Sequence, residues 1–400
     1  MNTCFLFWLK IAILADQKSL YKKKPYPTKS GTVQTSRSNM RRLILFILVN
    51  GLLGAVPSLA ASHGVILQYH HVADNTPPST SVSPTLFLKH LQFLKDHDFQ
   101  VWPLSKLVGQ LQAGKPVPDG VVVITFDDAY EDIATNAAPV LKRFGYPFTV
   151  FVATLFVHNR QHGYMTWEQI RALQKQGAEI ANHTHSHPHL LRLNPGETEA
   201  QWQARVKNEI ETAEVQIKKN TGDDFHYLAW PYGETDDRLI ALVKSWGYIG
   251  FGQESGAVNK AELDSGSAPR YPFNTTYHDM TDFQYKASSL PLPVAGIRAA
   301  PMVAKVGDKP VLELRLPPSF KTLHCYASGQ GRIEAEVEKD GWFKVQAPKA
   351  MPVGRSRYNC TEPVAKAELK TLTLKLTPRF YWYSHMWIRK QADDSWYPEP

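Results

Sequence analysis

The feature that most constrains this chain is the run VVVIT at 121–125, closed in front by Asp119-Gly120 and behind by Asp127-Asp128. A β-branched run without polar alternation reads as a strand covered on both faces, and such strands belong to parallel sheets flanked by helices. Shorter apolar runs at 65–69, 148–152, 179–181, 227–230 and 248–251 repeat the signal. Helical patterns lie between them. Ser83 as N-cap and Pro84 at the first helical position open one, with Phe87, Leu91 and Leu94 on one face. A second, predicted over 200–219, spaces Val206, Ile210, Ala213 and Ile217 at helical intervals. The first part of the chain is therefore α/β.

After the Pro-interrupted stretch at 288–296 the period changes to two. VLELRL, HCYAS, IEAEVE, WFKVQ and LTLKLT are short alternating segments separated by turn residues such as Asp340-Gly341. They predict a C-terminal antiparallel β-sandwich of about 100 residues, a usual size for one. Its aromatic last strand region, RFYWYSHMWI, reads as core filling, with glycan contact or docking onto the first part as alternatives. The expected organisation is an upstream extension at 1–39, a leader at 40–60, the α/β domain at 61–290 and the sandwich at 291–400.

The net charge of +8 does not mark a nucleic-acid binder. Residues 1–60 hold nine of the 45 Lys and Arg and one of the 37 acids, so the remainder is balanced at 36 of each. From Met40 the chain reads MRRLILFILVNGLLGAVPSLAAS. Arg41 and Arg42, a short apolar stretch and small residues before a cut after Ala60 are the parts of a secretory signal peptide. That stretch is shorter than the ~20 residues that cross a bilayer, so no lasting membrane span is expected. The upstream 1–39 reads as an extension before the true start at Met40. Export makes the compartment oxidising, periplasmic or outside the cell. There Cys325 and Cys360 suggest a disulfide, with two buried thiols as the alternative.

Chemistry gathers in three segments, each where a strand of the α/β part ends, the edge at which such folds build their sites. TFDDAY ends the first strand named above. Two adjacent carboxylates repel, and a cation relieves them, so one aspartate suits a metal and the other a base. NHTHSHPHL places His183 and His187 four apart, able to reach one point, with His185 and His189 sharing the alternation. Two imidazoles and a carboxylate suit zinc or a related divalent ion such as cobalt or nickel. LAWPYGE gives a rigid turn in which Trp230, Pro231 and Tyr232 read as an aromatic wall for a sugar ring. A fourth strand end carries His70 and His71, either of which suits a general acid.

TFDD, H-T-x-S-H and PYG, in this order, resemble the polysaccharide deacetylase (NodB-homology) family, carbohydrate esterase family 4. The Y-H-x-V opening at 69–72 is similar to the subgroup that includes bacterial poly-N-acetylglucosamine deacetylases. The resemblance covers about residues 64–275. It implies a distorted (β/α) barrel and a metal-dependent hydrolase that removes acetyl groups from an N-acetylated glycan. It further implies Asp127 as base, Asp128, His183 and His187 as metal ligands, His70 as acid, and Tyr232 at the groove beside an oxyanion-holding backbone N–H. Two departures stand out. Ala129 replaces a common Gly, and Ala229 stands where many members carry an Arg that steadies the base. The second departure favours the rival reading, a non-catalytic carbohydrate-binding or assembly protein on the same scaffold.

Overall fold

A computed structural model describes residues 62–275 and 279–398. The extension and the signal peptide expected at 1–39 and 40–60 lie outside the described residues. The described residues form a single compact unit.

A curled, mainly parallel sheet organises the first part. Its strands are β1 (Gly64–Tyr69), β2 (Val121–Phe126), β3 (Phe148–Val152), β4 (Ala178–Asn182), β5 (Tyr227–Ala229) and β6 (Ile249–Phe251), paired in that order and all parallel. Antiparallel β7 (Ala257–Val258) and parallel β8 (Tyr271–Pro272) both pair with β1. A bridge from Phe251 to Ala268 leads into β8, so the chain curls back beside the first strand. The distorted barrel that the resemblance implies is thus an open, curled sheet.

β2 is buried along its whole length, as its composition requires. Alternation still matters: Val122, Ile124 and Phe126 join the outer layer, while Val123 packs with Ile66, Phe151, Ala229 and Phe251 in a second core. Each such side chain contributes roughly 1.5–3 kcal/mol relative to exposure. The outer layer is covered by α1 (Pro84–Asp96), α2 (Ala138–Phe144) and α3 (Trp167–Gln174), and α4 (Glu199–Thr221) packs on β4. Ser83 Oγ accepts from Leu86 N at the start of α1. Thr198 and Gln201 form a capping box at the start of α4, and Gly222 ends it at φ +82°. The expected faces of α1 and α4 are the buried ones.

The remainder consists of two sheets around one core. One is ordered β9 (Leu290–Pro291), β18 (Phe380–Lys390), β17 (Gly354–Pro363), β13 (His324–Ala327) and β14 (Gly331–Ile333), with β11 (Val303–Lys305) also on β18. The other is ordered β10 (Gly296–Ala299), β12 (Val311–Arg315), β16 (Trp342–Gln346) and β15 (Ala335–Val337). Two expectations change here. The pairing is not wholly antiparallel, because β9 and β11 run parallel to β18. LTLKLT is not a strand: Leu372 and Leu374 are buried in alternation, but the backbone N–H of Leu374 donates to the Asp119 carboxylate instead of a neighbouring strand. Cys325 and Cys360 face each other across β13 and β17 and are joined at 2.03 Å.

The aromatic strand β18 does two jobs by alternation. Trp387 fills the core between the sheets, whereas Met386 and Ile388 pack with Trp202, Trp230 and Leu239 of the first part. A buried ion pair adds to the joint: Arg379 grips both oxygens of Asp119 at 2.6 and 2.9 Å.

Candidate active site

The ends of β1, β2, β4 and β5 bring the sequence motifs together. Asp128 sits just beyond β2 at φ +70°, a left-handed turn that swings its carboxylate toward the histidine segment. Its Oδ1 lies 3.4 Å from Nε2 of His183 and 3.4 Å from Nε2 of His187. Two ligands each about 2.1 Å from an ion at tetrahedral angles stand about 3.4 Å apart, so the spacing fits a shared divalent cation. His183 Nδ1 is 2.8 Å from the carbonyl oxygen of Ala229 and donates to it, which orients the ring so that Nε2 faces Asp128. The donor atoms of all three lie within 4.8 Å of one another. A second group, Glu214, Asp224 and His226, is as close-set. There Asp224 already pairs with Lys218 at 2.6 Å and Glu214 accepts from Asn182 at 2.8 Å, which makes it the poorer cation site.

The electrostatics follow the packing. Burial pushes the Asp128 carboxyl up, but hydrogen bonding with His183 and the His187 and His183 charges hold it far below the usual carboxylate range. Burial lowers His187 to about 4. His187 is itself in a left-handed conformation, φ +56°, with its N–H on Thr184 Oγ1, so a short local turn aims the ring.

Asp127 is fully buried and gripped from below. Arg270, also at 0% exposure, donates from Nη1 to Oδ1 at 2.7 Å and from Nη2 to Oδ2 at 2.8 Å. Gln68 of β1 donates to Oδ2 at 2.6 Å. Burial alone would raise this carboxyl; the Arg270 charge and hydrogen bonds, with the His183 and His70 charges, hold it below its ordinary value. Arg270 is the principal residue that motif spacing missed. It comes from the segment before β8 and reaches Asp127 with a guanidinium that Ala229 does not have. The available signal was a lone cation in the otherwise apolar and Pro-flanked APRYPF, since a charge in such a segment needs a buried partner. Gln68, the polar residue inside the apolar β1, carried the same signal.

The two histidines after β1 separate clearly. His70 feels both Asp127 and Asp128, although burial, the largest influence, lowers its pKa. His71 turns away: its Nδ1 is 2.6 Å from Asp132 and its ring stacks on Tyr130 with centroids 3.6 Å apart. His185 and His189 do not join the cluster either. His185 bonds Thr154, and His189 Nδ1 lies 2.9 Å from Glu234.

The aromatic wall needs correction. Trp230 is 1% exposed and donates to the Gly266 carbonyl at 3.0 Å, and Pro231 is buried, so both support the turn from beneath. The space its indole occupies is available only because residue 250 is Gly: a Cβ there would fall 2.5 Å from Trp230 Nε1. Tyr232 does lie at the cluster, with ring centroids 4.5 Å from His187 and 3.9 Å from His189. Below it the buried Glu234 ties the turn to the histidine loop and to the chain end, accepting from Arg192 at 2.7 Å and from the hydroxyl of Tyr397. Those hydrogen bonds, with the one to His189, bring Glu234 to about 2 against the effect of burial. Ala129 adopts φ +66° where a Gly is common, a conformation that costs a non-glycine residue about 1–2 kcal/mol.

Residues 114–250 match the family model described as polysaccharide deacetylase. The poly-beta-1,6-N-acetyl-D-glucosamine N-deacetylase of Escherichia coli (strain K12) is 24% identical over 238 residues, covering 50% of this chain and 35% of that protein. The enzyme of the same name from Staphylococcus aureus (strain MRSA252) is 30% identical over 191 residues, covering 46% of this chain and 65% of that protein. The chain thus spans about a third of the first relative's length and less than two thirds of the second's. The solved Streptococcus pyogenes deacetylase PplD, in complex with acetate, superposes with a TM-score of 0.50 at 23% identity, over 56% of this chain and 98% of that one, which shows a shared fold. The likeness to this family thus falls on residues 114–250, the segment that carries Asp127, Asp128, His183, His187 and Tyr232.

Proposed function

We propose that this protein is a metal-dependent hydrolase that removes N-acetyl groups from a poly-N-acetylglucosamine type of glycan outside the cytoplasm. The observation that carries the reading is the meeting of Asp128, His183 and His187 around one point beside an Asp127 locked by Arg270. The three residues would hold a divalent ion, zinc by donor type with cobalt or nickel as alternatives. Such an ion would polarise the acetamide carbonyl and make water a better nucleophile at neutral pH.

The chain's own residues supply the remainder. Asp127, kept ionised by Arg270, takes the proton from the attacking water. Arg270 and Gln68 fix both of its oxygens, so the base is aimed as well as charged. His70, within the field of both aspartates, gives a proton to the departing amine, which leaves poorly without one. His71 is engaged by Asp132 and Tyr130, which supports His70 for that role. Tyr232 faces the cluster and would border the sugar. The names of the relatives favour N-acetylglucosamine polymers as substrate. The signal-like segment at 40–60 and the Cys325–Cys360 bond support an extracytoplasmic site of action. The non-catalytic alternative drew its strength from Ala229, and Arg270 takes that strength away.

Acetate release from N-acetylglucosamine oligomers by the wild type and Asp127→Asn tests the reading. The wild type should release acetate and the variant should not while still binding metal. A variant with wild-type activity overturns the assignment of the base, and a wild type without activity overturns the function.

A further inference from the structure

The sheet that faces the first part carries aromatic and polar side chains where a packing face is normally aliphatic. Alternation along β17 sends Tyr358 and Cys360 into the core between the sheets and leaves Arg357, Asn359 and Thr361 on the opposite face. Register places Tyr326 beside Asn359 and Trp382 beside Thr361 on that same face. At one end the face closes tightly through Met386 and Ile388. At the other it stands off from β8 and from α5 (Met280–Ala287), and a cleft of about 340 Å³ opens between them. That size falls within the roughly 300–1,000 Å³ of small-ligand sites.

The lining narrows the ligand class. Tyr285 and Phe380 meet edge to face at 5.1 Å, Trp382 packs against Tyr271 at 5.4 Å, and Tyr326 stands 44% exposed. The cations are engaged by the protein: Lys286 pairs with Asp282 at 2.7 Å and Arg357 donates to the Gln253 carbonyl at 3.0 Å. A phosphate or free carboxylate would have to draw on them. A neutral ligand with an apolar face and a hydroxyl rim suits aromatic faces edged by Asn359 and Thr361, and a sugar ring has that form.

We propose that this cleft is a saccharide subsite that holds a unit of the glycan remote from the acetyl group under attack. The inference rests on the deacetylase reading for the identity of the polymer. Pro272 lines the cleft, and Arg270, two residues earlier in the chain, holds the base, so one short segment serves both places. Binding of remote units favours long chains over short ones in kcat/KM.

The test uses the whole protein, β-1,6-linked N-acetylglucosamine oligomers from dimer to hexamer, and two variants outside the active site, Tyr326→Ala and Asn359→Ala. Calorimetry reads binding and acetate release reads kcat/KM. In the wild type both should strengthen with oligomer length. Tyr326→Ala should weaken hexamer binding by about tenfold, as loss of an aromatic contact does, while kcat/KM for the dimer stays unchanged. Asn359→Ala should act in the same direction. Hexamer affinity within about twofold of wild type in both variants overturns the subsite. If the wild type binds the hexamer through Tyr326 yet releases no acetate, the deacetylase reading fails and the cleft stands; acetate release indifferent to Tyr326 and Asn359 has the opposite meaning.

Discussion

Replacing Arg270 with Met should silence the site at neutral pH without emptying it of metal. Met keeps most of the volume and removes the guanidinium, which at present makes two charge-assisted hydrogen bonds to Asp127, one to the Gly252 carbonyl and one to Thr125 Oγ1. Asp127 would then be a fully buried carboxylate with Gln68 as its remaining donor among the described residues. Breaking a buried pair by removing one partner costs about 3–5 kcal/mol, and the carboxyl can relieve part of that by taking a proton. One unit of pKa corresponds to about 1.4 kcal/mol, so a rise of two units or more is within reach. A protonated carboxyl cannot serve as base. The expected loss in kcat/KM at pH 7 is about 10²–10⁴, the usual worth of a positioned base. The sign follows from the direction of the shift: Arg270 holds the folded value low, so its removal moves the acid limb of the activity profile to higher pH and leaves partial activity on the alkaline side. Acetate release from pH 5 to 9, with metal content measured in the same samples, reads both effects. Activity within about twofold of wild type at pH 7 and an unmoved acid limb would refute the claim that Arg270 holds the base.

Other outcomes test the frame around the site. Asp119→Asn should lower stability by about 3–5 kcal/mol at neutral pH, because Arg379 at 1% exposure loses its partner. Burial raises Asp119, but the hydrogen bonds and charge of Arg379 hold it below its ordinary value, so its contribution is complete above the unfolded carboxylate pKa of about 3.9 and fades as pH falls through the lower folded value. Thermal unfolding of wild type and variant should converge on that acid side. Replacing Cys325 and Cys360 with Ser should cost about 4 kcal/mol by the loop-entropy estimate for a separation of 35 residues, read as a fall in denaturant midpoint that a reductant reproduces in the wild type.

What could be foreseen from the chain alone was local. β2, α1 and α4 announce themselves through runs, caps and periodic apolar faces within a few residues, and those are the contacts that form. Asp128, His183 and His187 were legible because motif and spacing mark residues that must converge. Arg270 was not, since its partner lies 143 positions away and nothing nearby in sequence reports on the interior of a curled sheet. Trp230 misled for a physical reason. An indole after a strand suits a sugar platform and a core equally, and only the small Gly250 across from it decides for the core. LTLKLT shows the limit of alternation, because burying every second residue against another surface produces the same pattern as pairing in a sheet. That His71 turns from the two aspartates was not legible either, because the grip of Asp132 on it spans 61 positions.

The proposed reaction depends on one cation shared by Asp128, His183 and His187. Its most direct test is a titration of acetate release with zinc after the protein has been stripped by a chelator, carried out on the wild type and on Asp128→Ala. The wild type should recover full activity at one equivalent of metal and the variant should recover none. Acetate release that survives stripping, or recovery by Asp128→Ala at the same equivalence, would contradict it.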